Sequence, residues 1–407
     1  MGSAEQLVVG GVDTHKDFHV AAALDVQGRC RGSQTFAASA RGYTSLLSWL
    51  RRYGEVVCVG VEGTGSWGAG LSRHLRDAGV SVIDVNRPSR QLRRQRGKSD
   101  PVDAEAAARA VLGGHATVIA KRADGRVECI RLLRVARRGA LKARTQASLQ
   151  LHAVLDTGPE AFRARFLGLS QRRLVNAVAH VRPGQLDDPA GAVRFAAASI
   201  AARWLALDEE VQRLTKTLEP LVRSVAPTLC EKHGIGFDTA GALLAAAGDN
   251  SERLHSEAAF AALCGASPVE ASSGKIKRHR LNRGGNREAN SALWRIVLVR
   301  LKSDPRSRAY LERRTSEGKN KREIMRCLKR YVAREAYLAI RQDVGVTKVR
   351  VDSGDDDNDL RGRLNPVSRL FGEVTPGPVR ELTTAARRGR VLPSSSSRST
   401  VHQEERH

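Results

Sequence analysis

The chain has 407 residues, 41% of them hydrophobic, with 68 lysines and arginines against 43 aspartates and glutamates, a formal net charge of +25. A chain of this length is too long for one ordinary core and predicts two or three domains. Such a positive surplus attracts polyanions, because each neutralised phosphate releases condensed counterions. The apolar run at 196–207 is interrupted by Arg203 and is too short to cross a bilayer, so we expect nucleic acid as the partner and no membrane.

No targeting or disulfide signal accompanies this charge. The first residues lack the succession of charged region, apolar stretch and cleavage site that a signal peptide requires. The six cysteines are scattered, with no Cys-x-x-Cys pair and no second ligand pair at zinc-like spacing. We therefore expect reduced thiols in a cytoplasmic protein.

The first third of the sequence alternates between strand and helix patterns. In chain order we predict strands at 7–13, 18–24 and 34–36, a helix at 42–52, a strand at 56–62, a helix at 67–78, a strand at 80–85 and a helix at 103–112. The run at 56–62 is continuously apolar, which is typical of a mid-sheet strand covered on both faces. The pattern predicts a mixed α/β sheet similar to that of ribonuclease H.

The middle of the chain has a different pattern. After about residue 125 the strand patterns end, and long helical stretches rich in alanine, leucine and arginine occupy 130–155 and 191–222. They predict either a plain helical bundle or a protruding, coiled-coil-like hairpin that carries contacts between protomers.

The last third is mainly helical and then polar. The turn at 233–236 followed by a helix at 239–247 resembles a helix-hairpin-helix element, whose turn amides can meet a DNA phosphate. Further helices are predicted at 257–264, 288–301 and 320–341. Beyond about residue 351, acidic and serine-rich composition predicts disorder. The predicted domains are an α/β domain at 1–122, a helical region at 123–229, a mainly helical domain at 230–345 and a tail at 346–407.

Four acidic residues occupy positions that this fold brings together. Asp13 ends the first strand, and Glu62 ends the central apolar strand. With Pro101 at the first helical position, Asp100 is expected to cap the following helix, and Asp103 lies one turn on, on the same side. Carboxylates at the ends of neighbouring strands, faced by a helix pair, supply the oxygen ligands that Mg²⁺ prefers, and two such ions suit an in-line displacement at phosphorus.

Basic residues cluster in two places. Six lie directly before the Asp100 and Asp103 pair and predict a phosphate-tracking loop: Arg87, Arg90, Arg93, Arg94, Arg96 and Lys98. The helix at 320–341 combines an apolar stripe with a basic face that includes Arg322, Arg326 and Arg330, so it can pack on a core while presenting charge to phosphate.

A second chemical signal surrounds Ser273. It stands in a glycine-containing basic stretch whose expected nucleic-acid contacts are Lys275, Arg278, Arg280, Arg283 and Arg287. Glycines let a backbone approach phosphate closely, and arginines bind it in bidentate fashion. A serine here either attacks phosphorus, with base or metal supplied from elsewhere, or only contacts the phosphate, and the spacing leaves both roles open.

Taken together, these pieces resemble the DEDD-type insertion-sequence transposases, which include Piv-like DNA invertases. The matching residues are Gly-Val-Asp-Thr-His-Lys at 11–16, Glu-Gly-Thr-Gly at 62–65, Ser-Asp-Pro-Val-Asp-Ala at 99–104, Ser-Gly-Lys at 273–275, Arg-Gly-Gly-Asn-Arg at 283–287 and Gly-Lys-Asn-Lys-Arg-Glu at 318–323. The resemblance runs from about residue 7 to 342. Trp67 stands where relatives often carry tyrosine.

The resemblance implies a RuvC-like domain in which Asp13, Glu62, Asp100 and Asp103 bind Mg²⁺, as two ions for which Mn²⁺ substitutes. It implies a second domain whose Ser273, directly before glycine, forms a covalent phosphoserine link to DNA as donor and target strands are cut and rejoined. It also implies a homo-oligomer, dimer or tetramer, in which sites of different protomers meet. In some members a structured noncoding guide RNA selects target and donor. Such an enzyme acts at the nucleoid in the bacterial cytoplasm.

The residues leave three other functions open. A metal-dependent, structure-selective nuclease of the junction-resolvase kind uses Ser273 only as a phosphate contact. A regulatory nucleic-acid binder needs the basic surfaces and none of the acids. A sugar-kinase-like ATPase also begins with a strand ending in Gly-x-Asp, but Thr14-His15-Lys16 stand where its phosphate loop is expected.

Overall fold

The computed structural model describes residues 6–85, 99–250, 253–274, 279–280, 282 and 284–344. The predicted tail at 346–407 lies outside the described residues. So do nine of the predicted nucleic-acid contacts: Arg87, Arg90, Arg93, Arg94, Arg96, Lys98, Lys275, Arg278 and Arg283.

The N-terminal part is a five-stranded mixed sheet covered by helices on both faces. Its elements are β1 (Leu7–Thr14), β2 (Phe18–Asp25), β3 (Cys30–Ala37), α1 (Ala40–Arg51), β4 (Glu55–Glu62), α2 (Ala69–Asp77), β5 (Ser81–Val85) and α3 (Asp100–Leu112). The strand order is β3-β2-β1-β4-β5. The first three strands pair antiparallel, whereas β4 runs parallel to both β1 and β5. The predicted RuvC-like α/β fold is confirmed.

Strand alternation assigns each side chain of β1 to one face. Val8 and Val12 pack in a core with α1 and α2, whereas Val9 packs in the core that contains α3. Gly11 lies on the α3 face, where an added Cβ would stand 2.2 Å from the Ala104 carbonyl oxygen. Because side chains alternate with period two, Asp13 belongs to this same face. The small residues at the contact therefore bring α3 close to the strand end that carries Asp13.

The start of α3 differs from the prediction by one residue. Ser99, in extended conformation, is the N-cap, so Asp100 is the first helical residue rather than the cap. Pro101 still lies within the first turn, where its missing N–H costs nothing. Both Asp100 and Asp103 remain in the first turn, with Asp103 buried.

The middle of the chain is a long helical hairpin. Its arms are α4 (Arg126–Asp156) and α7 (Pro189–Val225), and between them lie α5 (Glu160–Arg163), a 3₁₀ turn (Ala164–Phe166) and α6 (Gln171–Ala179). The two long predicted helices are confirmed. Buried Asp208 accepts hydrogen bonds from Arg144 and Arg172, so a charged cluster ties α7 to both α4 and α6.

Helix α7 is longer than the apolar run from which it was predicted. It has 37 residues, and one 18-residue window reaches a mean hydropathy of 1.2, which meets the length and composition of a membrane span. The sequence analysis predicted too short a segment because it ended the run at Leu207. Core helices of soluble proteins also reach this length and hydropathy.

The C-terminal part is a helical domain with one small hairpin. Its elements are α8 (Pro227–Glu231), α9 (Phe237–Ala247), α10 (Glu257–Leu263), β6 (Val269–Glu270), β7 (His279–Arg280), α11 (Arg287–Ser303), α12 (Pro305–Ser316) and α13 (Lys321–Asp343). The sequence analysis missed α12 and the β6–β7 pairing. The predicted helix at 320–341 is present as α13, and it begins with a capping box between Asn320 and Glu323. Val127 of α4 and Val222 of α7 pack into this core, so the base of the hairpin is built into the C-terminal domain.

A short segment after α9 connects the C-terminal domain to the start of α4 and to the N-terminal sheet domain. The Asp249 carboxylate accepts hydrogen bonds from the backbone N–H groups of Val127 and Glu128 at the start of α4. Asn250 Nδ2 donates to the Ala120 carbonyl, and Arg253 Nε donates to the Ile119 carbonyl at 2.9 Å. These contacts hold the C-terminal domain against the edge of the sheet beside β5.

Candidate active site

All four predicted carboxylates line one open cavity of about 930 Å³. Asp13 and Glu62 come from β1 and β4, which are neighbours and run parallel, so their carboxyl ends meet at one sheet edge. Asp100 and Asp103 come from the first turn of α3, which packs over that edge. The arrangement that the sequence analysis anticipated from strand ends and helix spacing is therefore present in space.

His15 joins this carboxylate cluster, and the sequence analysis did not select it as a site residue. Its Nε2 lies 3.3 Å from Asp13 Oδ2 and 3.5 Å from Asp100 Oδ2. Ligand atoms of these three residues all lie within 4.8 Å of one another, close enough to share one metal ion. The signal was present in the sequence as Asp-x-His at the end of a buried strand.

The cluster concentrates negative charge. Burial raises the pKa of Asp13, the imidazole of His15 opposes that effect, and the carboxylates of Asp103 and Asp100 add to it. The Asp13 side chain is only 14% exposed, so solvent screens these charges weakly. A site with these oxygen donors and this unbalanced charge fits a divalent cation.

A positively charged wall faces the acids, and the sequence analysis missed it. Lys121, which follows the sheet domain, and Arg253 from the C-terminal domain line the same cavity. Burial, with a smaller contribution from Arg253, lowers the pKa of Lys121 to about 8, which still leaves the amine mostly protonated at neutral pH. Its Nζ donates one hydrogen bond, to the Ala245 carbonyl at 2.6 Å.

Arg253 is fixed by a network that also holds a fifth acid. Its guanidinium donates to carbonyls of Ala246 and Ala247 and lies 3.9 Å from Asp84 Oδ2. Asp84 in turn accepts a hydrogen bond from Thr64 Oγ1 at 2.6 Å, in the turn that follows Glu62. The cavity therefore has an acidic floor, made by the sheet and α3, and a basic wall that the second domain completes.

The serine loop lies elsewhere. Ser273 is exposed on the segment that connects β6 and β7, and it is not among the described residues that line the carboxylate cavity. Of the predicted basic contacts within the described ranges, Arg280, Arg326 and Arg330 line a second cavity beside this loop. Arg287 and Arg322 are exposed at the starts of α11 and α13. One chain thus has an acidic cavity and, apart from it, a basic cavity beside the serine loop.

Comparison with known proteins gives two family matches and one relative. Residues 10–158 match the family model DEDD_Tnp_IS110, described as transposase, and residues 226–312 match the model described as transposase IS116/IS110/IS902 family. The insertion element IS110 uncharacterized 43.6 kDa protein of Streptomyces coelicolor is 30% identical over 132 residues, and this stretch spans 32% of each chain. The first match contains the four carboxylates, and the second contains Ser273. The chain belongs to the IS110 family of DEDD transposases.

Proposed function

We propose that this protein is a DNA recombinase that moves an insertion sequence by cutting and rejoining strands. The observation that carries the proposal is the convergence of Asp13, Glu62, Asp100 and Asp103 on one cavity with a basic wall. A phosphodiester fits between these charges, since its non-bridging oxygens can meet Lys121 while its reacting bond faces the acids. Arg73 on α2 is a further, exposed cation at the cavity.

The four carboxylates would hold Mg²⁺, as two ions, with Mn²⁺ able to replace it. When bound, such ions stabilise the attacking and leaving oxygens of an in-line displacement. The chain's own share is to position the acids through β1, β4 and α3 and to orient the strand along the cavity. His15, between Asp13 and Asp100, would serve as an additional ligand or as a hydrogen-bond donor that orients them.

Ser273 would carry the covalent step. Its Oγ bonds to a phosphorus of the DNA strand as the bond from that phosphorus to one deoxyribose oxygen breaks, the serine proton passes to solvent, and the released oxygen takes up a proton. A hydroxyl of another strand then attacks the same phosphorus and gives up its proton to solvent, while the bond from phosphorus to the serine Oγ breaks and that oxygen takes up a proton. Bond energies nearly cancel because one phosphodiester replaces another. The exposed position of Ser273 supports this role, since a strand can reach it.

The separation of Ser273 from its own carboxylate cavity supports a composite site. We propose that the protein acts as a dimer or tetramer in which the serine loop of one protomer meets the cavity of another. We further propose that a structured noncoding guide RNA selects donor and target DNA in the bacterial cytoplasm. The net charge of +25 supports binding of phosphate-rich partners, RNA as well as DNA.

The experiment is a junction assay in cells. The protein is expressed with its native flanking DNA, and donor–target junctions are amplified for wild type, Ser273→Ala, Ser272→Ala and Asp13→Asn. We expect junctions from wild type and from the Ser272→Ala control only. RNA that copurifies with the active protein is sequenced to identify the guide.

One alternative has an observation in its favour. Because Ser273 lies outside the cavity in a single chain, a metal-dependent, structure-selective nuclease without serine chemistry also fits. Junctions that persist in Ser273→Ala, or DNA cleavage without any protein–DNA adduct on a denaturing gel, would establish the nuclease and remove the serine from the mechanism.

A further inference from the structure

A second cavity, of about 860 Å³, lies beside the serine loop. It is bounded by β7, by the segment that follows α10, and by α12 and α13. Seven arginine and lysine side chains line it, against one acidic residue among the described ones, Glu323. A concave surface of this sign and size selects a small anionic group or one unit of a polyanion.

Lys329 is a buried cation in this second cavity. It lies on α13 with only 6% of its surface exposed, and its Nζ donates to Asn290 Oδ1 at 2.9 Å. The Asn290 amide nitrogen is held by the carbonyls of Cys264 and Gly265, so its oxygen is fixed toward the lysine. Within the described ranges Lys329 forms no ion pair, and Arg326 adds a second positive charge nearby.

A buried cation with only a neutral partner is costly. Burial, and the repulsion of Arg326, lower the pKa of Lys329. Buried charges in proteins are normally paired. Two other cations of this cavity already have acidic partners, since Arg330 pairs with Glu257 at 2.6 Å and Arg314 pairs with Glu317. Lys329 is therefore a position where an incoming anion would supply the missing charge.

The cavity also offers a flat aromatic surface. Tyr331 is 57% exposed, which is unusual for a large ring at the wall of a cavity. Tyr310 meets it edge-on, with ring centroids 5.6 Å apart, and the guanidinium of Arg313 lies 5.3 Å from the centre of the Tyr310 ring. Tyr331 is thus supported by a second ring, which itself contacts a cation, and its exposed face is suited to stack on a nucleobase.

We propose that this cavity binds one unpaired nucleotide of the DNA strand that passes Ser273, with its phosphate at Lys329 and its base on Tyr331. A paired nucleotide does not fit, because both faces of its base are covered in the duplex stack. The cavity is lined by β7, which begins six residues after Ser273, so the nucleotide bound there would belong to the strand that Ser273 engages. The inference rests on the proposed function, and it adds to it a pocket that holds the strand open.

The test measures binding by the full-length protein in the presence of EDTA, so that neither metal nor strand transfer is involved. Fluorescence anisotropy gives the Kd for a short single-stranded DNA, for an RNA of the same sequence and for a blunt duplex of the same length. The variants are Lys329→Met and Tyr331→Leu. Their controls are Lys302→Met, an exposed lysine on α11, and Leu338→Ala, which is 58% exposed on the same helix as Tyr331.

We expect each cavity variant to weaken single-stranded DNA binding about tenfold, the loss of one charge-assisted hydrogen bond or one stacked base. Duplex binding should change less than twofold, and the two controls should bind as wild type does. Irradiation of a strand carrying a photoreactive thymine should crosslink to Tyr331, which tests the contact without relying on the Lys329 variant to fold.

Equal losses for duplex and single strand, or none for either, would overturn the inference while leaving the recombinase proposal intact. A larger loss for the RNA than for the DNA would overturn the assignment to DNA. Wild-type protein that binds no DNA of any form would instead overturn the proposed function itself.

Discussion

The carboxylate cavity and the second cavity both hold a charge that neighbouring groups do not neutralise, and the sign of that charge differs between them. In the first, like charges and burial work against the ionised Asp13. In the second, burial and a neighbouring cation work against the charged Lys329. Each places a charge where the protein alone does not balance it, and each therefore fits a ligand of opposite sign. The two cavities also differ in the elements that form them. The acidic cavity lies at the ends of paired strands, whereas the basic cavity lies between helices and a loop.

The largest expected effect is the loss of recombination when a carboxylate of the first cavity is removed. Asp13→Asn keeps the shape of the side chain but removes its charge, so junction formation should fall by about a hundredfold or more, as for loss of a metal ligand. The loss of single-stranded DNA binding that Tyr331→Leu causes should be the same in the Asp13→Asn background as in wild type, because the second cavity is not touched. If Asp13→Asn recombines at the wild-type rate with normal protein levels, the metal role of the acids is wrong.

The next effect tests how the fold makes the acidic site. In Gly11→Ala the new Cβ would clash with the Ala104 carbonyl and the Ala108 nitrogen, at 2.2 Å and 2.3 Å. Helix α3 must shift, which should cost about 3 kcal/mol in urea unfolding. The matched control is Gly139→Ala in α4, where nothing lies within 4 Å of the added carbon. That variant should be more stable by roughly 0.5–1 kcal/mol, since alanine favours a helix.

The third effect asks whether the acidic cavity takes a cation. Mg²⁺ at about a hundred times its Kd should stabilise the wild-type protein by about 2.7 kcal/mol in thermal unfolding. Asp13→Asn should lose most of this gain, and Lys302→Met should keep it. Equal stabilisation of wild type and Asp13→Asn would mean that the ion binds elsewhere.

The smallest effect is a change in the free energy of unfolding when the buried lysine of the basic cavity is replaced, measured without nucleic acid. The pKa of Lys329 is lowered in the fold, so the unfolded chain binds its proton more strongly, and wild-type stability rises with pH until the unfolded lysine titrates. Lys329→Met removes this cost, and we expect it to be more stable by roughly 1 kcal/mol at neutral pH. The advantage should shrink toward pH 10, which thermal unfolding across that range measures. A constant advantage at every pH would show that packing, and not the charge, is responsible.

Local patterns were enough to predict the sheet and the placement of the acids. A strand end and a helix start are local features, so the sequence alone located Asp13, Glu62 and the α3 pair on elements that meet. His15 directly follows the strand that carries Asp13, but a single histidine offers no spacing pattern that would have selected it as a site residue. Their catalytic role, the role of Ser273 and the domain boundaries stay predictions.

The basic wall of the carboxylate cavity could not be predicted from the sequence, and the reason is physical. Arg253 meets the Ile119 carbonyl across 134 positions of chain, and Lys121 meets Ala245 across 124. No periodicity or motif relates such positions, because only the packed C-terminal core brings them together. Lys329 was counted among the basic residues of its helix, which was predicted correctly, but its burial was not predicted, because sequence alone does not show which lysine turns toward the apolar stripe.

The cap that Asp249 places on α4 has a mechanical consequence. Helix α4 has 31 residues, a rod of about 46 Å at the usual rise of an α-helix. It is gripped at one end by Asp249, four residues before the arginine that forms part of the cavity wall. One short segment therefore fixes both the start of this long rod and the arginine of the cavity wall, so a displacement of either one is passed to the other.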